Sequence, residues 1–228
     1  MYAFENAFSM RTFAYRKDSI AKGIGTDHGI LFDNIASMQV CRSIQEFVPI
    51  TEEQKTTLAS LPSPAYLEQA EGMNQKLIES IERNKRKMAN LALADLKEVS
   101  NEDLYAAIVG KHRGKVVLID IWATWCSPCR VANEEMAPLK EEWKDKDIVF
   151  VYIAGENSPE ELWKNMIADI KGEHHRLSRE QYGYLMESFN ASGVPTYIVV
   201  DKNGNVSRVI TGYPGAEKMK QELLKAEG

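Results

Sequence analysis

Cys126 and Cys129 are the residues best suited to chemistry in this chain: two thiols separated by Ser127 and Pro128, placed between an apolar run and an amphipathic one. The run before them, Val116 to Trp122, is apolar on both alternating faces, the pattern of a central strand covered on both sides. The stretch after them, Val131 to Trp143, has helical periodicity. The thiols therefore straddle a helix N-terminus, where unpaired amide N–H groups and the helix dipole favour an anion and draw a thiol below its free pKa of about 8.5. Cys126 is then the attacking thiolate, and Cys129, one turn further in, is the thiol that closes onto a mixed disulfide. Pro128 suits the first helical turn, where its missing N–H is not needed. Asp120 interrupts the apolar strand; a carboxylate there costs roughly several kcal/mol unless it is paired or has work to do.

A Cys-x-x-Cys pair can also be half of a zinc site or an inert disulfide. Zinc takes about four ligands, and no second Cys or His pair has matching spacing. His174 and His175 are neighbours in an extended-looking segment, so their side chains point to opposite faces. A redox-active dithiol is favoured over both alternatives, with no metal and no cofactor called for.

The elements around this pair follow from periodicity and caps. Ile148 to Ala154 is a second apolar strand, so strand, helix and strand form a parallel crossover, with Pro138 expected to kink the helix between. Ser158-Pro-Glu-Glu161 has the pattern of an N-cap and capping box for a helix with a buried stripe of Leu162, Trp163, Met166, Ile167 and Ile170. His174 to Leu177 suggests a short strand, and Ser178 to Gln181 caps a helix that buries Tyr182, Leu185, Met186 and Phe189. Thr196 to Val200 and Val206 to Thr211 form a hairpin, with Asn203-Gly204 suggesting a type I′ turn. A last helix spans about 216–226. Upstream, Ser100 to Asp103 is a capping box opening a short helix over Leu104 to Val109, and His112 is a solvent-facing loop histidine.

Residues 1–90 have a different character, that of a small all-helical module. Phe4, Ala7, Phe8 and Tyr15 allow a short helix; Leu31, Ile35, Met38, Cys41 and Val48 form an apolar stripe that buries Cys41. Thr51 to Gln54 is a capping box, and Ser63-Pro64 starts a long helix with Leu67, Ala70, Met73, Leu77 and Ile81 on one face. Its basic tail, Glu82 to Lys87, is a solvated face. The transition to the second part falls near Asn90 to Glu98.

With 228 residues, 44% hydrophobic and 27% charged, the chain has length for a core of ordinary globular composition. A net charge of −5 offers no basic patch, which argues against nucleic acid as a partner. Three cysteines, two in one motif, make no disulfide framework, and no window has about eighteen consecutive apolar residues, so no transmembrane span is expected. The first residues lack a cationic segment followed by an apolar core and do not read as a signal peptide, which taken literally means cytoplasm.

Asp120-x-Trp-Ala-x-Trp-Cys-x-Pro-Cys, followed by Gly193-Val-Pro-Thr196 and the hairpin at Asp201 to Gly204, resembles the thioredoxin superfamily and, more narrowly, envelope-facing thiol-disulfide oxidoreductases of the TlpA/ResA type. The likeness covers about residues 92–228. It implies an α/β thioredoxin-like fold over 91–228, a mixed sheet flanked by helices with a central strand-helix insertion. It implies a cell-envelope or periplasmic location, reconciled with the N-terminus if Met1 begins a trimmed or partial chain. Carried over residue by residue, Cys126 and Cys129 are the nucleophilic and resolving thiols, and Asp120 is a buried carboxylate whose raised pKa makes it a usable base. Pro195 corresponds to a cis-proline facing the dithiol, and Glu156 to an acidic residue near it. Trp125, Ser127, Pro128, Val194 and Thr196 border the substrate. Ser127 departs from the Gly or Pro often found there. The implied function is a reductase of protein or peptide disulfides, supplied by an upstream electron-donor thiol protein. The other reading is a partner-binding or assembly protein that uses the helical module. A monomer is expected, the helical stripes packing on one another and on the second domain.

Overall fold

The computed structural model describes residues 21–22, 25, 29–45, 47–88 and 96–228. The chain divides into two compact units, Met1–Arg83 and Asn84–Gly228. The expected helix around Phe4, Ala7, Phe8 and Tyr15, the Leu31 side chain and residues 90–95 of the transition lie outside the described residues.

In the first unit, α1 (Ile30–Gln45), α2 (Glu52–Ala59) and the body of α3 (Ala65–Met88) bury Val40, Ile44, Ile50, Leu58, Ala70 and Leu77 together. Thr51 forms the expected capping box: its hydroxyl accepts from Gln54 N–H at 3.2 Å and its own N–H donates to Gln54 Oε1 at 2.9 Å. The α3 stripe packs as its periodicity predicts, with Leu67, Met73 and Ile81 against this cluster. The α1 stripe does not. Met38 is 70% exposed, Val48 is exposed and Cys41 is only half-buried; the buried face runs through Asp33, Ser37, Val40 and Ile44. Two of those four positions are polar, so counting apolar residues selected the wrong side of the helix. The basic tail of α3 is exposed, except that Asn84 is buried and donates to the Asn165 carbonyl at 3.0 Å.

The second unit is built on a five-stranded sheet in the order β3-β2-β1-β4-β5. Strands β1 (Val116–Ile121), β2 (Ile148–Gly155) and β3 (Glu173–Leu177) are parallel, and β4 (Thr196–Val200) and β5 (Val206–Thr211) complete the sheet antiparallel. α4 (Leu104–Val109) precedes β1, α5 (Ser127–Glu142), α6 (Glu160–Ile167) and α7 (Arg179–Ser188) run between the strands, and α8 (Ala216–Glu227) follows β5. Every residue of β1 is buried, as its unbroken apolar pattern requires. Val117, Ile119 and Ile121 pack with Leu104, Ile108 and Leu185 of α4 and α7, while Val116 and Leu118 pack with Ala132, Met136, Met219 and Leu223 of α5 and α8. Asp120, by alternation, shares the face of Leu118 and α5. α5 runs through Pro138 as one helix.

Several local readings give way to other contacts, two of them long-range. Ser158 does not cap α6, which has no side-chain cap bond; its hydroxyl accepts instead from the Thr124 N–H at 3.1 Å. Ser100 accepts from the Asp103 N–H at 3.2 Å, but this turn precedes α4 rather than capping it. His112 is not solvent-facing, since Glu173 Oε2 lies 3.0 Å from its Nε2 and shields it. The β4–β5 turn has positive φ at Gly204 but not at Asn203, which excludes type I′. There the Asp201 carboxylate accepts the Asn203 and Asn205 N–H groups at 2.9 and 2.8 Å and holds the turn.

Candidate active site

The parallel β1–β2 pair delivers the chain to the site. Trp122 extends the ladder by donating its N–H to the Ile153 carbonyl at 2.9 Å, and a turn closed by Cys126 N–H to Ala123 C=O at 3.1 Å leads into α5. Cys126 is the N-cap of α5: its Sγ accepts from the Cys129 N–H at 3.2 Å, and its carbonyl accepts from the Arg130 N–H at 3.2 Å. A sulfur in that position faces the free amides of the first turn, which stabilise negative charge on it. Cys126 and Cys129 are joined as a disulfide, and both are buried in a cluster with Trp122, Ala123, Tyr152, Ala154, Trp163 and Ile167. Around them Trp125 is 61% exposed, and Ser127 and Pro128 are exposed, so the pair lies under a rim open to solvent.

The segment before β4 comes to the same place. The Val194–Pro195 peptide bond is cis, and Val194 packs against the cluster that contains both cysteines. Thr196 is buried, donates its hydroxyl to the Gly193 carbonyl at 2.7 Å and pairs in register with Ile121, at the end of β1. Val194 thus brings this segment against the cysteine cluster, while Ser127 and Pro128 lie between the two cysteines in the chain and Trp125 directly precedes them.

Across the sheet, Asp120 pairs with Tyr152 on one side and Tyr197 on the other, and Tyr152 pairs with His174. The Tyr152 and His174 rings stack with centroids 4.9 Å apart. Asp120 is 5% exposed, and its Oδ1 has no hydrogen-bond partner. Burial lifts its carboxyl to about 7, against the opposing pull of the Lys140 charge. Lys140 comes from α5 and is 8% exposed, its ammonium 4.7 Å from the centre of the Tyr152 ring. Burial brings Lys140 down to about 8, with the Asp120 charge opposing. Burial also lowers His174 to about 4, against its hydrogen bond to the Ile170 carbonyl, and leaves it neutral. Near neutral pH this row therefore holds one carboxyl midway through its titration and one ammonium.

Glu156 follows β2, but its carboxylate accepts from the Arg179 N–H at the start of α7, 3.3 Å away. Reading the sequence did not single out Lys140 or the bond between Ser158, read there as a helix N-cap, and Thr124. The first had a visible signal: it lies on the stripe Ala132, Met136, Leu139, Trp143, all buried. The second had none, because its partner is 34 residues away.

A family model described as a thioredoxin-like domain matches residues 105–227. The thiol-disulfide oxidoreductase ResA of Geobacillus thermodenitrificans is 30% identical over 113 residues, 49% of this chain and 63% of its own length. The thiol:disulfide interchange protein HelX of Rhodobacter capsulatus is 27% identical over 99 residues, 43% of this chain and 53% of its own. The chain thus spans less than two thirds of the length of each of these relatives. A crystal structure of a thioredoxin-family thiol:disulfide interchange protein from Chlorobium tepidum TLS, 29% identical, covers 53% of this chain and 85% of that one with a TM-score of 0.46.

Proposed function

This chain belongs to the thioredoxin-like domain family, and from that premise we propose that it is a thiol-disulfide oxidoreductase that reduces protein or peptide disulfides. The observation that carries the reading is the placement of Cys126 Sγ as the N-cap of α5, accepting the Cys129 N–H with Cys129 in bonding reach. In the reduced protein the Cys126 thiolate attacks one sulfur of the substrate disulfide. A mixed disulfide forms, and one substrate thiolate leaves. Cys129 then gives up its proton, with Asp120 as the acceptor, and its sulfur attacks Cys126 Sγ. The second substrate thiolate leaves, two electrons have passed to the substrate, and the protein holds the Cys126–Cys129 disulfide. An upstream thiol protein returns it to the dithiol.

Trp125, Ser127, Pro128, Val194, Pro195 and Thr196 form the surface that receives the peptide. Glu156 takes no proton-transfer step in this scheme, because its carboxylate is engaged at the start of α7. The resemblance to the TlpA/ResA type supports the reducing direction and an envelope location, and a monomer is the working form. Insulin-disulfide reduction tests the reading: the intact protein turns over with dithiothreitol as donor, and Cys126→Ser abolishes it. Equal rates for the two proteins would overturn the assignment.

A further inference from the structure

Among the described residues, the loop that carries the chain from β1 to α5 has one hydrogen-bonded anchor outside β2 and the loop itself. Trp122 is held by β2, and the Cys126 N–H is held by Ala123 within the loop itself. Between them, the Thr124 N–H donates to Ser158 Oγ at 3.1 Å. Both residues are buried, Ser158 completely. Ser158 is itself fixed at both backbone groups: its N–H donates to the Gly155 carbonyl at 3.0 Å, and its carbonyl accepts from Arg176 Nε of β3 at 2.9 Å. The second arm of Arg176 reaches the Glu156 carbonyl at 3.4 Å, and the Glu156 carboxylate receives the Arg179 N–H. A chain of hydrogen bonds thus runs from β3 and α7, through the loop after β2, to the loop that ends in the attacking thiol. The Ser158 hydroxyl supplies the acceptor for the Thr124 N–H. Alanine would leave a buried N–H without an acceptor.

We propose that Ser158, anchored by Arg176, is a positioning residue of the dithiol: by holding the Thr124 N–H it fixes where Cys126 enters the N-terminus of α5. The proposal rests on Cys126 and Cys129 being the redox-active pair. Its consequence is electrostatic. The thiolate of the reduced state is stabilised only if Cys126 Sγ stays in line with the first-turn amides. Loosening the loop withdraws that stabilisation from the dithiol form more than from the disulfide, whose sulfur carries no charge. The variant protein should then be oxidised more readily by glutathione disulfide.

The test uses the full chain. Wild type, Ser158→Ala, Ser158→Thr and Arg176→Gln are equilibrated in glutathione buffers, and the pH dependence of Cys126 alkylation is followed in each reduced protein. Ser158→Ala should move the equilibrium with glutathione toward the protein disulfide about tenfold, equivalent to about 30 mV for this two-electron couple, and raise the alkylation midpoint. Arg176→Gln should move both in the same direction by less, and Ser158→Thr, which keeps the hydroxyl, should stay near wild type. A folded Ser158→Ala protein with wild-type equilibrium and midpoint would overturn the proposal. If Ser158→Ala does not fold, unchanged values for Arg176→Gln would overturn it. Neither measurement involves a protein substrate. A wild-type protein inert toward insulin would refute the enzymatic reading while leaving this inference standing.

Discussion

In the proposed mechanism, Asp120 and Lys140 together set the pH range in which the site moves a proton. Replacing Asp120 with Asn removes the acceptor for Cys129, and the step that resolves the mixed disulfide should slow about ten- to a thousandfold, with the pH–rate curve losing its inflection near 7. The same substitution should stabilise the protein. A carboxyl raised by burial contributes its full stability below the ordinary carboxylate range and loses it as the pH rises through about 7. Asn cannot ionise, so urea unfolding should show a gain on the order of a few kcal/mol at pH 8 and almost none at pH 4. Lys140→Met removes the charge that opposes burial, so Asp120 should titrate at still higher pH and the inflection should move upward. A profile unchanged in both variants would reduce the pair to packing. At this scale the sequence was readable where chemistry leaves a local trace. Cys126 and Cys129 announce themselves by spacing, and Asp120 by interrupting an apolar strand. Lys140 interrupts an apolar stripe in the same way, yet only the fold shows that Tyr152 and Asp120 face it.

Of the four capping-box patterns read at helix starts, at Thr51, Ser100, Ser158 and Ser178, two form. Those at Thr51 and Ser178 are closed in both directions, while Ser100 makes its turn ahead of α4 and Ser158 bonds Thr124 instead. The pattern fixes what a hydroxyl can do, and tertiary contacts choose among its partners. The Ser178 box is tied further into the fold. Gln181 accepts the Ser178 N–H at 3.3 Å and donates through Nε2 to the Leu96 and Val99 carbonyls at 2.7 and 3.0 Å. Ser178→Ala should therefore cost about 1 kcal/mol in urea unfolding, a lost cap. Gln181→Ala should cost more, about 2 kcal/mol, because it also removes the Nε2 donor from the half-buried Leu96 and Val99 carbonyls, of which Leu96 keeps the Val99 N–H. Equal costs would show that the Leu96–Val99 ties contribute nothing. The strands were legible almost to the residue, β1 and β2 from runs that are apolar on both faces. The face of α1 was not, since Asp33, Ser37 and Ser43, three of its five described buried positions, are polar and the Met38 side chain is exposed.

At the scale of the whole molecule, the division into Met1–Arg83 and Asn84–Gly228 gives the last turns of α3 to the second unit. Within that unit Asn84 donates to Asn165, Lys87 pairs with Asp169 and Met88 packs on the Trp163 cluster that holds the cysteines. A chain beginning at Asn84 should therefore reduce insulin within about twofold of the intact protein, whereas a partner-binding role for the helical unit would appear as lost binding without lost turnover. Composition separated a helical front from an α/β remainder, but a continuous helix carries no compositional mark of where its packing changes hands. The most direct test of the dithiol assignment is to treat Cys129→Ser and Cys126→Ser with a disulfide-containing peptide and map the adducts by mass spectrometry. Cys129→Ser should accumulate the peptide on Cys126 as a mixed disulfide released by dithiothreitol, and Cys126→Ser should accumulate none. Adducts on Cys129 or Cys41 at comparable rates, with Cys126 unmodified, would contradict it.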